Sequence, residues 1–306
     1  MKEYHIGIDV GGTSVKLGIV DRDCRILCRR SYGTPKGMDG SQAVDLIVSG
    51  IQSVLHACGL TSDGIASVGV GVPGTVRYGY GIVDSSPNFP KWHRFDIRRE
   101  LSERLSVPVV VDNDAKMAAA GEKFAGAAVP YDNFVLVTIG TGIGGAVYAN
   151  GLPVRGRDGT AGEIGHIVVE PEGMECGCGS NGCVEMYASA GAIVRYYRAR
   201  SHDRSRAVTA EDVYRRAIMR EPPAMYAFRQ MGMYLGIALT DVVNLLNPEA
   251  LIFTGKVSRA IRLFLPSVKA VVNRRAFRLP SRGIVYRKGT LGDDAAIIGA
   301  VCRARP

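Results

Sequence analysis

A glycine-rich turn set between two strands occurs twice in this chain, and that repetition constrains the fold more than any other feature. At the start, Tyr4–Asp9 and Val15–Asp21 read as strands joined by Gly11-Gly12-Thr13. Further on, Phe134–Ile139 and Ala146–Tyr148 flank the turn Gly140-Thr141-Gly142-Ile143-Gly144-Gly145. The second occurrence restarts the pattern, which points to duplicated architecture without close sequence repetition. A length of 306 residues suits two domains.

The remaining segments fit this frame. Arg25–Ser31 is a third apolar run, and Ser41 to Cys58 has helical spacing with Ser41 as a candidate N-cap. Ile65–Val72 is a strand halted by Pro73-Gly74, Ile97–Leu105 a helix and Val107–Val111 a β-branched strand. An alanine-rich helix runs from Asp114 to Ala125. Ala224–Leu246 is a long helix ended by Asn247-Pro248, Leu251–Thr254 a buried strand and Asp293–Cys302 a closing helix. Strands alternating with helices predict an α/β protein with largely parallel sheets.

The glycine turns have two readings. Gly140–Gly145 formally contains G-x-G-x-x-G, but a dinucleotide fingerprint needs a helix after it, and Ala146-Val147-Tyr148 is strand-like. No G-x-x-x-x-G-K-[ST] is present, so no P-loop is expected. Either turn alone would pass as a tight hairpin. Two together, each with a threonine hydroxyl (Thr13, Thr141) and amides unobstructed by Cβ atoms, favour a clamped phosphate. Asp9, an acid just before the first turn, is then expected to orient hydrated Mg²⁺.

Asp112-Asn113-Asp114 stands where a strand hands over to a helix, the crevice where open α/β sheets bind ligands. Capping the helix needs one such residue, so at least one is left for other work. A carboxylate there can accept a hydroxyl proton during phosphoryl transfer. Asn88, Glu163, His166 and Glu185 are further polar candidates for lining a polyol pocket.

Cys176, Cys178 and Cys183 lie within eight residues among glycines, with His166 ten residues upstream. Three sulfurs and an imidazole match a closed tetrahedral zinc site, structural because no position is left for a catalytic water. The alternative is three reduced thiols in a loop. Glu163 and Glu185 flank these ligands, so folding around zinc would set both carboxylates.

Composition narrows the partners. Hydrophobic residues make up 46% and charged residues 22%, an ordinary globular balance. The net charge of +9 gathers at Arg98–Arg99, Arg195–Arg206 and Asn273–Arg282. Without a recognisable binding motif, this reads as an Arg-rich surface that attracts anionic substrates, not as a nucleic-acid patch. Lys2, Glu3 and Asp9 interrupt any signal-peptide core, and Asp241, Asn244, Asn247 and Pro248 interrupt the most apolar later stretch. The expectation is a cytoplasmic protein with no membrane partner. Seven cysteines form no paired framework, and Cys24, Cys28, Cys58 and Cys302 are expected to be inert thiols.

These motifs together resemble the ROK family (repressor, open reading frame, kinase) of the actin-like ATPase and sugar-kinase superfamily. The resemblance rests on Asp9–Thr13, Gly71–Gly74, Asp112–Asp114, Thr138–Gly145, Ala161–His166, Cys176–Glu185 and Gly292–Ala300. It implies two actin-like (ribonuclease H-like) α/β domains with mixed sheets flanked by helices and an active-site cleft between them. The smaller domain is expected over residues 1–114, closed by a helix at 293–306, and the larger over 115–292. The implied activity is ATP-dependent phosphorylation of a hexose, glucose first. N-acetylmannosamine, N-acetylglucosamine, fructose, mannose and allose remain open.

The resemblance further implies Asp114 as catalytic base and Gly74, Asn88, Asn113, Glu163, His166 and Glu185 around the sugar. His166 would serve zinc and sugar with different ring nitrogens. Asp9, Gly11, Gly12, Thr13, Thr138, Gly140, Thr141, Gly142 and Gly255 would meet Mg-ATP, and a homodimer is implied. Two positions depart from the usual pattern: Lys116, where relatives commonly carry asparagine, and Lys256 after Gly255. An altered nucleotide loop admits polyphosphate as an alternative donor. The rival from another class is a sugar-responsive repressor. Its winged-helix segment has no room before a phosphate motif that begins at Ile6.

Overall fold

In the computed structural model, which describes residues 4–201 and 207–305, β1 (Tyr4–Val10) and β2 (Ser14–Val20) pair antiparallel across the first glycine turn. Lys2, Glu3 and the end of the Arg195–Arg206 cluster lie outside the described residues, as does the last residue of the expected closing helix. Ile6, Ile8, Leu17 and Ile19 are fully buried. Each such side chain contributes about 1.5–3 kcal/mol relative to exposure.

β3 (Ile26–Gly33) adds to β2, and α1 (Gly40–Ala57) follows. The cap of α1 is Asp39, not Ser41. Its carboxylate accepts the Gln42 N–H at 2.9 Å while the Gln42 side chain accepts the Asp39 N–H at 3.0 Å. This reciprocal pair satisfies two donors at the helix start, which a lone serine cannot do. β4 (Ile65–Val72) leads into a small sheet of β5 (Thr75–Arg77), β6 (Ile82–Ser85) and β7 (His93–Asp96). Then come α2 (Ile97–Leu105), β8 (Val109–Asn113) and α3 (Asp114–Ala125). The main sheet has the order β3-β2-β1-β4-β8, with β1, β4 and β8 parallel.

The second sheet repeats this plan. β9 (Phe134–Ile139) and β10 (Ile143–Ala149) are antiparallel across the second glycine turn, with β11 (Leu152–Pro153) at the edge. Helices follow: α4 (Glu185–Ala188), α5 (Ala190–Arg200), α6 (Ala210–Ile218) and α7 (Pro222–Leu246). Asn247 ends α7 in the left-handed region at φ 44°. β12 (Ala250–Thr254), α8 (Ile261–Arg275), α9 (Arg278–Ser281) and β13 (Val285–Lys288) complete the series. The order is β11-β10-β9-β12-β13, with β9, β12 and β13 parallel. Both sheets are therefore mixed. The expectation of largely parallel sheets fails at the hairpins, because each short glycine turn can only join antiparallel strands.

The final helix, α10 (Ala295–Ala304), returns to the first sheet. A Cβ on Gly69 would lie 2.0 Å from the Ala300 carbonyl oxygen, and one on Gly299 would lie 1.7 Å from that of Met117. Only glycine permits this approach. The chain divides into two units, Met1–Pro130 with Pro153–Ala161 and Thr290–Pro306, and Tyr131–Leu152 with Gly162–Gly289. The division thus falls after Pro130 and not after residue 114. The reason is the packing of α3 on α10 and the buried Glu122, which accepts the N–H groups of Ala127 at 2.7 Å, Thr290 at 3.1 Å and Leu291 at 3.0 Å. Cys28 and Cys58, expected as inert thiols, are joined in a disulfide between β3 and the end of α1.

Candidate active site and a four-ligand metal cluster

In the first unit, Asp9 ends on β1 directly opposite Lys16 of β2, and the ammonium lies 3.5 Å from the carboxylate. Burial pushes the Asp9 carboxyl above its ordinary range despite that cation. Burial draws Lys16 down, yet Asp9 together with Asp293, 3.0 Å from its ammonium, leaves it above its ordinary value. The turn itself is held by Gly11 N–H on the Ser14 carbonyl at 2.9 Å and by Thr34 Oγ1 donating to the Gly11 carbonyl at 2.7 Å. Gly12 and Thr13 stay exposed at its tip. A Cβ on Gly12 would lie 2.5 Å from Asn88 Nδ2, so the structure brings Asn88 against the phosphate-type turn.

The Asp112–Asp114 turn separates its tasks among three residues. Asn113 is the cap of α3, accepting the N–H groups of Ala115 at 3.0 Å and Lys116 at 3.2 Å. Its amide also donates to the Gly74 carbonyl at 3.1 Å. Gly74 has φ 102°, and a Cβ there would strike the Ser85 carbonyl oxygen. Asp112 is buried and paired with Arg155. Asp114, half-buried, accepts the Ala115 N–H at 2.8 Å with one oxygen.

In the second unit, the turn Gly140–Gly142 is closed by Gly140 N–H on the Gly142 carbonyl at 2.9 Å. Glu185, the first residue of α4, accepts the Ile143 N–H at 2.8 Å and leaves no room for a Cβ on Gly142. Thr138 stands opposite Thr254 in the β9–β12 register. Gly255 follows at φ 80°, where a Cβ would meet the Ile139 carbonyl oxygen at 2.4 Å. Beside them is a largely apolar cavity of about 180 Å³, lined by Gly140, Thr141, Tyr214, Phe228, Lys256 and Val257 among others. It can take a flat aromatic ring next to the glycine turn.

His166, Cys176, Cys178 and Cys183 come together with their ligand atoms within 4.8 Å of one another. Cys178 Sγ is 3.6 Å from Cys183 Sγ, and Cys176 Sγ is 3.7 Å from His166 Nδ1. Tetrahedral ligands about 2.3 Å from zinc would stand ~3.8 Å apart, so the donors fit that ion. Burial pushes the Cys183 thiol up to about 12 and raises Cys176 as well, so thiolates there need a cation. The loop is shaped by Cys176 N–H on the Ser180 carbonyl at 2.8 Å and by Gly182, where a Cβ would collide with the Glu170 carbonyl oxygen. Glu163 is exposed immediately before the short 3₁₀ turn Ile164–His166.

Sequence reading passed over Lys16, Asp293 and Arg155. Lys16 was findable, since strand alternation puts it opposite Asp9 across a three-residue turn. Arg155 was not, because nothing local says which distant carboxylate it meets.

The ROK family model matches residues 5–305. The glucokinase of Halalkalibacterium halodurans is 34% identical, covering 97% of this chain and 93% of its own. The xylose repressor of Bacillus subtilis is 29% identical over 97% of this chain and 75% of its own. A ROK family glucokinase from Streptomyces griseus, solved with glucose and AMPPNP, superposes with a TM-score of 0.87 at 33% identity over 99% of both chains. The paired mixed sheets are those of the actin-like fold, and the chain belongs to the ROK family.

Proposed function

We propose that this chain phosphorylates a hexose hydroxyl with ATP, converting glucose to glucose 6-phosphate. Kinship to glucokinases over nearly the whole chain supports the reaction. The observation that carries the mechanism is the division of labour at Asp112–Asp114. Asn113 serves the first-turn donors of α3, so the helix start does not depend on Asp114. Asp114 accepts the proton of the sugar hydroxyl as that oxygen attacks the γ-phosphorus, and ADP leaves. A positioned base contributes about 10²–10⁴-fold.

In this reading Gly74, Asn88, Asn113, Glu163 and His166 hold the sugar. The amides of Gly11–Thr13 and of Gly140–Gly142, with Thr138, receive the phosphates, and Gly255 borders the adenosine. Asp9 orients the magnesium, which neutralises charge developing on the phosphate oxygens. Glu185, expected on the sugar, is assigned first to the second glycine turn, whose amide it holds. Zinc at His166, Cys176, Cys178 and Cys183 is structural. A cytoplasmic homodimer completes the proposal, on the family resemblance; among the described residues no helix is long and apolar enough to cross a membrane.

A coupled ADP-release assay with Mg-ATP across hexoses and N-acetylhexosamines tests this reading. Turnover with glucose above all others is expected. Silence across the panel, with folded and zinc-loaded protein, would replace the kinase with a sugar sensor of the repressor type.

A further inference from the structure

Within the first unit, residues 153–161 lie against the Asp112–Lys116 turn and are held there by two cations. Arg155 forms an ion pair with Asp112, whose side chain is 2% exposed. The same guanidinium lies over the Tyr78 ring, 4.0 Å from its centroid. Lys116, only 8% exposed, donates its ammonium to the Gly159 carbonyl. Gly159 has φ 86°, and a Cβ there would lie 2.5 Å from that of Tyr78. Ala161 N–H on the Arg155 carbonyl at 3.1 Å closes the loop, and Gly162-Glu163 follow directly.

Burying an ammonium and a guanidinium is unfavourable unless each is matched, and lysine is rarely found so enclosed. Here both matches join the same short loop to the turn, Arg155 reaching Asp112 and Lys116 reaching Gly159. On the turn, the residues involved are Asp112 and Lys116, two before and two after Asp114. Asparagine, with a shorter side chain, would not reach Gly159 from the same backbone, so the contact belongs to this chain's lysine.

We propose that Lys116 and Arg155 are positioning residues for phosphoryl transfer: they clamp the 153–161 loop to the turn that carries Asp114. The loop and the catalytic turn, Asn113 included, are then set by one pair of contacts, all within the first unit. This rests on the reading of Asp114 as base and Asn113 as sugar ligand. Its contacts with Asp112, Tyr78 and Gly159 lie away from both glycine turns, so it governs the sugar and the base more than ATP.

Lys116→Met keeps length and removes the charge. Its sugar KM is expected to rise about tenfold and its kcat to fall by up to about 10²-fold, the cost of a misplaced reacting group, with ATP KM unchanged. Amide exchange over residues 156–163 should accelerate, and Lys116→Arg should restore part of both effects. A merely structural lysine would lower the active fraction and leave both KM values alone. Arg155→Met strands a buried carboxylate and can fail to fold. The double variant Asp112→Asn/Arg155→Met removes both charges and should fold with the same rise in sugar KM. Unchanged sugar KM with unchanged exchange over 156–163 overturns the clamp. If the wild type phosphorylates no sugar, the kinase reading fails separately, and exchange together with calorimetric sugar affinity still decides whether the clamp positions the loop.

Discussion

Glu185 accepts the backbone N–H of Ile143 at 2.8 Å from a position two residues beyond the metal-type ligand Cys183. One carboxylate thereby ties the cysteine loop to the second glycine turn, both within the same unit. Removing a charged partner from such a bond costs about 1.5–3 kcal/mol. Glu185→Ala should therefore raise ATP KM by roughly ten- to a hundredfold on that scale, measured by steady-state kinetics at saturating sugar. A rise confined to sugar KM would show that the carboxylate serves the sugar alone.

Asp114→Asn should retain the fold and bind sugar within a few-fold of wild type while kcat falls about 10²–10⁴-fold. Asn113 keeps the cap of α3 in either case, so circular dichroism should not change. Near-normal turnover would remove Asp114 as the base.

Asp9 gives a pH signature. Burial raises its pKa in the folded protein above the ordinary 3.8, against the pull of Lys16. A carboxyl raised in this way favours the fold while protonated, and that contribution is lost as pH rises through the folded value. At neutral pH the ionised Asp9 therefore destabilises the protein. Asp9→Asn should unfold at a higher temperature than wild type at neutral pH. The difference should shrink as pH falls from the raised value toward 3.8. Thermal denaturation across pH reads this directly, and the same variant should need more magnesium for half-maximal turnover.

Cys178→Ser should lower zinc content and thermal stability together, because metal binding to such a loop is folding free energy. Elemental analysis beside calorimetry checks it. Full stability in a protein that never held zinc would leave the four residues as a reduced cluster.

Gly299→Ala tests the seat of α10. The added methyl would lie 1.7 Å from the Met117 carbonyl oxygen, backbone that cannot move aside cheaply. Overpacking of this kind costs about 1–3 kcal/mol or more, so the denaturant midpoint should fall.

Much of this was legible in the sequence. The bounds of α2 and β4 are legible because capping or turn residues border their runs, Asp96 before α2 and Pro73-Gly74 after β4. The duplicated turns were legible because glycine is tied to backbone geometry. The four metal-type ligands were legible because thiols so closely spaced have few other uses. The β5–β7 sheet was missed, since strands of three or four residues carry no measurable alternation. The Arg155–Asp112 pair joins residues 43 positions apart, and Glu122 meets Thr290 and Leu291 at 168 and 169 positions, and no local rule selects them.

The seating of α10 in the first unit also sets a timetable. The sheet made by the first 113 residues keeps an uncovered face at Gly69 until Ala300 has been synthesised. At about 5–20 residues per second, that wait is roughly ten to forty seconds. The second unit, complete by Gly289, can finish first. The amino-terminal sheet is therefore closed by the last helix made, so loss of residues 295–304 would open its Gly69 face while removing no strand from either sheet.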